Sequence, residues 1–319
     1  MSYIIHFDGN LTSYTFYNEL LGKLHNYFED RNNEQLVFDF SQVKLIEPIV
    51  IPNLLCVGYI INASTGNPPK IFIPDNISAG YLKRYLFDIN FIYYASKYGL
   101  FKFDDTISGG LAESNMDKLN NTILFHQDET EQESWDKICY YSQKFINKYL
   151  KDFDSYMAPT NLILELSREI VENSKDHGKS FCFMTIQYNY SREKVYIAYS
   201  DCGHGFLQSF LNKNIMVESE IESIIEGIFL RYQKPFGLYS VIHKTLSLGG
   251  IVRIHSNQDQ LVLTRNTMLS LDVSNSAEDL KKILLSEKYK KNIRRNLKFS
   301  GVHIEIEIPL SKEEVNKDV

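Results

Sequence analysis

The most apolar stretch of the chain, Pro48 to Ile61, sets the first constraint. It is too short to span a bilayer and carries Pro48, Pro52 and Asn53, so it belongs inside a folded core. Its flanks say what kind of core. Before it, QLVFDFSQV (35–43) alternates and is rich in apolar and aromatic residues, as a strand packed on a core would be, and a turn follows around Glu47-Pro48. After it, TGNPP (65–69) breaks the helix ahead of a second strand, KIFIP (70–74). This strand, helix, strand unit is extended by SAGYLKRYLFDINFIYYA, which sets Leu82, Tyr85, Leu86, Ile89 and Phe91 at near-helical spacing. A small α/β domain of about 100 residues fits the set.

The full chain of 319 residues is about twice the usual single-domain length, so a second domain is expected. Between Asp104 and Glu133 the sequence turns to Gly109-Gly110, polar residues and the acidic run DETEQE (128–133). The expected division is therefore a domain over 1–115, a linker over 116–133 and a second domain over 134–319. A helix from about Ser134 to Leu150, with Trp135, Ile138, Tyr141, Phe145 and Tyr149 on one stripe, opens the latter. Residues 1–34 carry no interpretable motif.

Composition narrows the partners. With 34 basic against 40 acidic residues the net charge is −6, so neither nucleic acid nor an anionic membrane is expected on global charge. No transmembrane segment or secretory signal is visible, and a cytoplasmic location is expected. Cys56, Cys139, Cys182 and Cys202 are too scattered for a disulfide framework or a zinc site and read as reduced thiols.

The chemistry-bearing segment begins at NLILELSREIVENSKDHG (161–178). Glu169, Asn173 and His177 follow one another at four-residue steps and share one helix face, beside an apolar stripe of Leu162, Leu166 and Ile170. The plain alternative is a solvated helix edge ending at Gly178. Two strands follow, FCFMTIQYNY (181–190) and KVYIAYS (194–200), and the second runs into DCGHGF (201–206). An Asp at a strand end followed by Gly203 and Gly205 sets a buried carboxylate beside backbone that a ligand can approach; alone it is only a turn signal. In KPFGLYSVIHKTLSLGG (234–250), Gly237 opens an amphipathic helix whose amide groups favour phosphate, and Gly249-Gly250 ends it before the strand IVRIHS.

These three blocks, in this order, resemble the nucleotide-binding signature of the GHKL superfamily, the gyrase, heat-shock chaperone, histidine kinase and mismatch-repair ATPases. The wording is most similar to the anti-sigma-factor kinase branch, whose first block has Glu, then Asn four residues on, then His-Gly, as Glu169, Asn173 and His177-Gly178 do. FSGVHIEIEIPL (299–310) looks like that domain's closing strand. The resemblance implies an α/β sandwich over about 134–310 with a mixed sheet covered by helices on one face. It also implies ATP and Mg²⁺ as cofactors. Asn173 would hold Mg²⁺, Asp201 would accept from the adenine amino group, Gly203 and Gly205 would shape the base pocket, and Glu169 would orient or deprotonate the nucleophile. His177, Lys234, Gly237 and Leu238 would complete the nucleotide contacts. In the lid block the family's second glycine is replaced, since the chain reads Gly237-Leu238-Tyr239; Arg231 and Lys234 are candidate compensating charges.

The N-terminal region resembles the STAS fold of sulfate transporters and anti-sigma antagonists, on VFDFSQVKLIEP, the helix after it, KIFIP and the helix near Tyr81. Where antagonists carry a phosphorylatable Ser, this chain reads Ile46-Glu47-Pro48-Ile49, with Ser41 the nearest hydroxyl. Elsewhere, Asp201, Cys202 and His204 do not match zinc spacing. The basic run of Lys281, Lys282, Lys288, Lys290, Lys291, Arg294, Arg295 and Lys298 reads as a solvated helical insertion over about 270–298, with contact to nucleic acid or an acidic partner as the alternative.

Together these expectations describe an α/β (α+β) intracellular ATP-binding regulator with a STAS-like partner-binding domain, acting as a Mg-dependent ATPase or serine/threonine protein kinase. A protein partner and a homodimer are both compatible with it. The competing expectation is a nucleotide-gated interaction module with little or no catalysis, in stress response or phage defence. A mechanical ATPase is disfavoured, because no transducer domain follows.

Overall fold

The computed structural model describes residues 2–30, 34–74, 77–104, 122–125, 129–150, 181–189, 191–229, 238–267, 276–286 and 288–310. The chain separates into two compact units, Met1–Leu124 with Phe183–Thr185, and Phe125–Cys182 with Ile186–Val319. It is of mixed α/β class, as its patterning predicts. Among the described residues no helix is long and apolar enough to cross a membrane.

The first sheet is parallel. Strand β1 (Ser2–Leu11) pairs with β2 (Gln35–Ile46), β2 with β3 (Lys70–Phe72), and β3 with β4 (Lys102–Phe103). Parallel neighbours require crossovers, and helices supply them. Helix α1 (Leu21–Asp30) joins β1 to β2, α2 (Val50–Thr65) joins β2 to β3, and α3 (Ile77–Asp88) with α4 (Phe91–Lys97) joins β3 to β4. The most apolar segment of the chain forms α2, buried without a break from Val50 to Gly58. It stops at Gly66, whose φ of 67° is the left-handed cap that glycine adopts cheaply. Leu36, Phe38 and Phe40 of β2 and Ile5, Phe7 and Leu11 of β1 are buried in the same unit.

Strand β1 lies in the stretch that carries no legible motif. Its register with β2 runs from Ser2↔Gln35 to Leu11↔Ile46, interrupted between His6 and Asp8 and between Gly9 and Asn10. Burial nevertheless alternates along the whole strand, with Tyr3, Ile5, Phe7, Gly9 and Leu11 turned inward; in the sequence the pattern is diluted by Gly9 on the inner side and by Ile4, 49% exposed, on the outer. At the turn after β2, the Glu47 carboxylate accepts the Ser13 N–H at 2.8 Å, and the Glu47 N–H donates to the Leu11 carbonyl at 2.8 Å. Ser41 is half-buried, its N–H donating to Asp39 Oδ1 at 2.9 Å.

The second sheet contains β5 (Thr122–Phe125), β6 (Cys182–Asn189), β7 (Lys194–Asp201), β8 (Ile251–Leu263) and β9 (Ile293–Pro309), in the order β5-β6-β7-β9-β8. The β7–β9 and β8–β9 pairs are antiparallel, where a mixed sheet is expected. Four residues of the span expected as a linker, Thr122–Phe125, form a strand with every residue buried. Helix α5 (Glu131–Tyr149) begins slightly before the expected Ser134, because Thr130 accepts the Glu133 N–H while Glu133 accepts the Thr130 N–H in return. Its buried side is Ile138, Ser142, Phe145 and Ile146; Trp135, Tyr141 and Tyr149 are only half-buried.

Helices α6 (Gly205–Asn212), α7 (Glu220–Phe229), α8 (Leu238–Ser247) and α9 (Ala277–Leu284) complete the described part. The basic run is corrected by this arrangement. Lys281 and Lys282 lie on α9, but Arg294, Arg295 and Lys298 lie on β9, which starts at Ile293 rather than near Phe299 and pairs Asp259↔Arg295, Gln260↔Arg294 and Leu261↔Ile293. This end of β9 is mostly exposed, so it lacks the apolar alternation by which a strand is read.

Candidate nucleotide site

The end of β7 is where the described structure gathers unusual chemistry. Asp201 is 2% exposed, yet its carboxylate is well supplied with donors. Oδ1 accepts the Gly203 N–H at 2.8 Å and the Val302 N–H at 3.1 Å, and Oδ2 accepts the Tyr199 hydroxyl at 3.2 Å. Burial raises the carboxyl pKa from 3.8 to about 6, against the lowering effect of those three bonds. At neutral pH the group is therefore an ionised, buried acceptor, and among the described residues Oδ2 accepts the Tyr199 hydroxyl alone.

The backbone makes that position exacting. Gly301 on β9 has φ 108°, and a Cβ there would lie 2.0 Å from the Asp201 carbonyl oxygen. Only glycine allows β9 to approach so closely that the Val302 N–H reaches the carboxylate.

Directly across β9 and β8 stand two buried histidines, His303 and His255, each 1% exposed and paired in register. Their rings lie 5.5 Å apart, and His303 stacks on Phe299 at 4.1 Å. Desolvation pushes the His255 pKa down from 6.5 to about 3, and desolvation together with His255 pushes His303 well below its ordinary value. Both are neutral imidazoles at working pH.

On the other side of the turn, Gly205 begins α6 with φ 79°. A Cβ on it would lie 2.3 Å from Asn257 Nδ2 and 2.7 Å from Ser256 Oγ. These neighbours belong to a buried polar group centred on the Glu220 carboxylate, which Asn257 Nδ2 reaches at 3.0 Å and to which Ser256 Oγ also donates.

Of the sequence-derived site residues, Asp201, Gly203 and Gly205 come together at this turn, and Leu238 is the buried first residue of α8. Glu169, Asn173, His177, Arg231, Lys234 and Gly237 lie outside the described residues. Among the described residues no cluster of His, Cys, Asp and Glu could hold a metal, and Asp201, Cys202 and His204 form none. The four cysteines form no disulfide; Cys56 and Cys182 are buried, Cys139 and Cys202 half-buried.

Sequence reasoning did not single out Tyr199, Gly301, Glu220, Ser256 or Asn257. Gly301 alone left a signal, a glycine inside the otherwise apolar strand FSGVHIEI, which marks a close backbone approach. No protein-family profile matches this chain, and no curated protein matches it in sequence.

Proposed function

We propose that the chain binds Mg·ATP through a site built around Asp201, and that it works as a regulatory ATPase or serine/threonine protein kinase acting on a protein partner in the cytoplasm. The observation that carries this reading is the Asp201 carboxylate: buried, ionised at neutral pH, fixed by two backbone N–H groups and a tyrosine hydroxyl, and presenting Oδ2 as an acceptor. An exocyclic amino group on a flat, apolar base is the kind of donor that satisfies such an acceptor. When bound, Mg²⁺ would neutralise phosphate charge, and Asn173 is the residue the sequence offers to hold it.

Titration calorimetry of the full chain with Mg·ATP, repeated with Asp201→Asn, tests the reading directly. Binding by wild type that the variant loses supports it, whereas equal binding by both makes the DCGHG turn structural only. Incubation with labelled ATP, alone and with cell extract, then separates hydrolysis and phosphate transfer from binding without turnover. In the catalytic case Glu169→Ala keeps ATP affinity while turnover falls by about a hundredfold or more; Asn173→Ala weakens binding in a Mg²⁺-dependent way.

A further inference from the structure

The helix that follows the candidate base-binding turn has no cap of its own. At its N-terminus His204 makes no side-chain capping bond, although the first amide N–H groups of α6 are buried and need acceptors. The acceptors arrive from two distant elements. Phe206 N–H donates to Ser256 Oγ of β8 at 3.0 Å, and Leu207 N–H donates to Glu220 Oε1 of α7 at 3.3 Å. Ser256 Oγ in turn donates to the same Glu220 oxygen.

Asn257 closes the arrangement. It sits at φ 50°, in the left-handed region, where the β8–β9 register shifts on both sides of it. Such an irregularity re-aims a side chain that a regular strand would point elsewhere. Here its amide donates to the His204 carbonyl at 2.9 Å and to Glu220 Oε2 at 3.0 Å. Thus the Asp201 end of the turn is held by Gly203 and Val302, and the Gly205 end by Glu220, Ser256 and Asn257. Glu220 is 5% exposed, and a buried carboxylate at a helix N-terminus is favoured by the helix dipole as well as by its bonds.

Resting on the ATP-binding reading above, we infer that Glu220 and Asn257 are positioning residues for base recognition: they set the 201–205 turn from outside it and so fix how well the Asp201 acceptor discriminates an adenine from a guanine base. Neither residue touches the ligand.

The test uses the full chain and four dissociation constants, ATP and GTP with wild type and with Glu220→Gln. The substitution keeps the size of the side chain but removes its charge and turns an acceptor toward the Asn257 amide into a donor. The expected result is a roughly tenfold loss of ATP affinity with GTP affinity unchanged, so that the preference between bases shrinks by the same factor. Amide exchange at Phe206 and Leu207 should accelerate in parallel. Should Glu220→Gln not fold, Asn257→Gly carries the same test, since glycine accepts the left-handed backbone and removes only the amide. A folded variant with a lower melting temperature but an undiminished base preference makes the network purely structural and overturns the inference. Wild type that binds ATP without preferring it overturns the inference and leaves ATP binding standing. Wild type that binds no adenine nucleotide removes both.

Discussion

The two sheets solve the same packing problem in different ways. Among the described residues, the parallel sheet and its helices bury no acidic, basic or histidine side chain; their buried polar groups are Asn53 and Asn90. The second sheet and its helices bury Asp201, Glu220, His255, Asp259, His303 and Glu305. Burying an ionisable group costs stability unless its partners are well placed, so a fold that collects six of them has a reason beyond packing. On the proposed function, the first region serves as a scaffold and the second holds the site.

The largest effect that could break this contrast is expected at Gly301→Ala. With φ 108° and a virtual Cβ 2.0 Å from the Asp201 carbonyl oxygen, the strand must move or the carboxylate must lose its Val302 bond. Denaturant melts should show a loss above about 4 kcal/mol. A loss near 1 kcal/mol would mean that the β7–β9 contact is far more compliant than its geometry.

Next comes Asp201→Asn, where stability and binding should separate. ATP affinity is expected to fall by about 2–4 kcal/mol, from the lost charge-assisted bond. The fold should be unharmed at pH 8 or gain up to about 3 kcal/mol, because the raised carboxyl pKa means that the ionised form is strained by burial. A variant that loses both together places Asp201 with the scaffold.

Acid should then sharpen the comparison. Below pH 6.5 the unfolded chain takes protons that buried His255 and His303 refuse, so stability falls as pH drops toward 3. Asp201 works in the opposite sense: from about pH 6 down to 3.8 the folded state holds a proton that the unfolded chain has released, so stability rises as pH falls. The Asp201→Asn variant therefore loses about 2–3 kcal/mol more than wild type between pH 7 and pH 4, followed by thermal melts across that range. Parallel profiles for the two proteins would remove the acid-base opposition.

The smallest effect belongs to the first sheet. His6 Nδ1 and Asp39 Oδ2 are hydrogen-bonded at 2.8 Å, but the His6 side chain is 65% exposed. His6→Ala should cost less than about 1 kcal/mol at any pH from 5 to 8.

How much of this was legible in the sequence differs between the same two regions. The helix from Val50 to Thr65 and the strands on either side of it follow from local apolar runs and local turn chemistry. Strand β1 is less plain: its burial alternates throughout, but an outward Ile4 and an inward Gly9 blur the apolar pattern in the residues themselves. The early part of β9 is not legible, because a half-exposed strand of Arg, Asn and Lys carries no hydrophobic period. At the candidate site Asp201, Gly203 and Gly205 are visible as a motif. Glu220 and Asn257 are invisible, since what matters in them is a meeting between elements separated by 13 to 53 residues, and nothing local announces it.

The contact between Gly301 and Asp201 has a consequence for the ancestry of the chain. A position that tolerates a single residue type cannot drift, and an acceptor held by that position's neighbour cannot drift independently of it. In any lineage that keeps this site, the aspartate at the end of β7 and the glycine on β9 should pass from ancestor to descendant as one inherited unit, while Arg294 and Lys298, a few residues upstream on the same strand and exposed, are free to change.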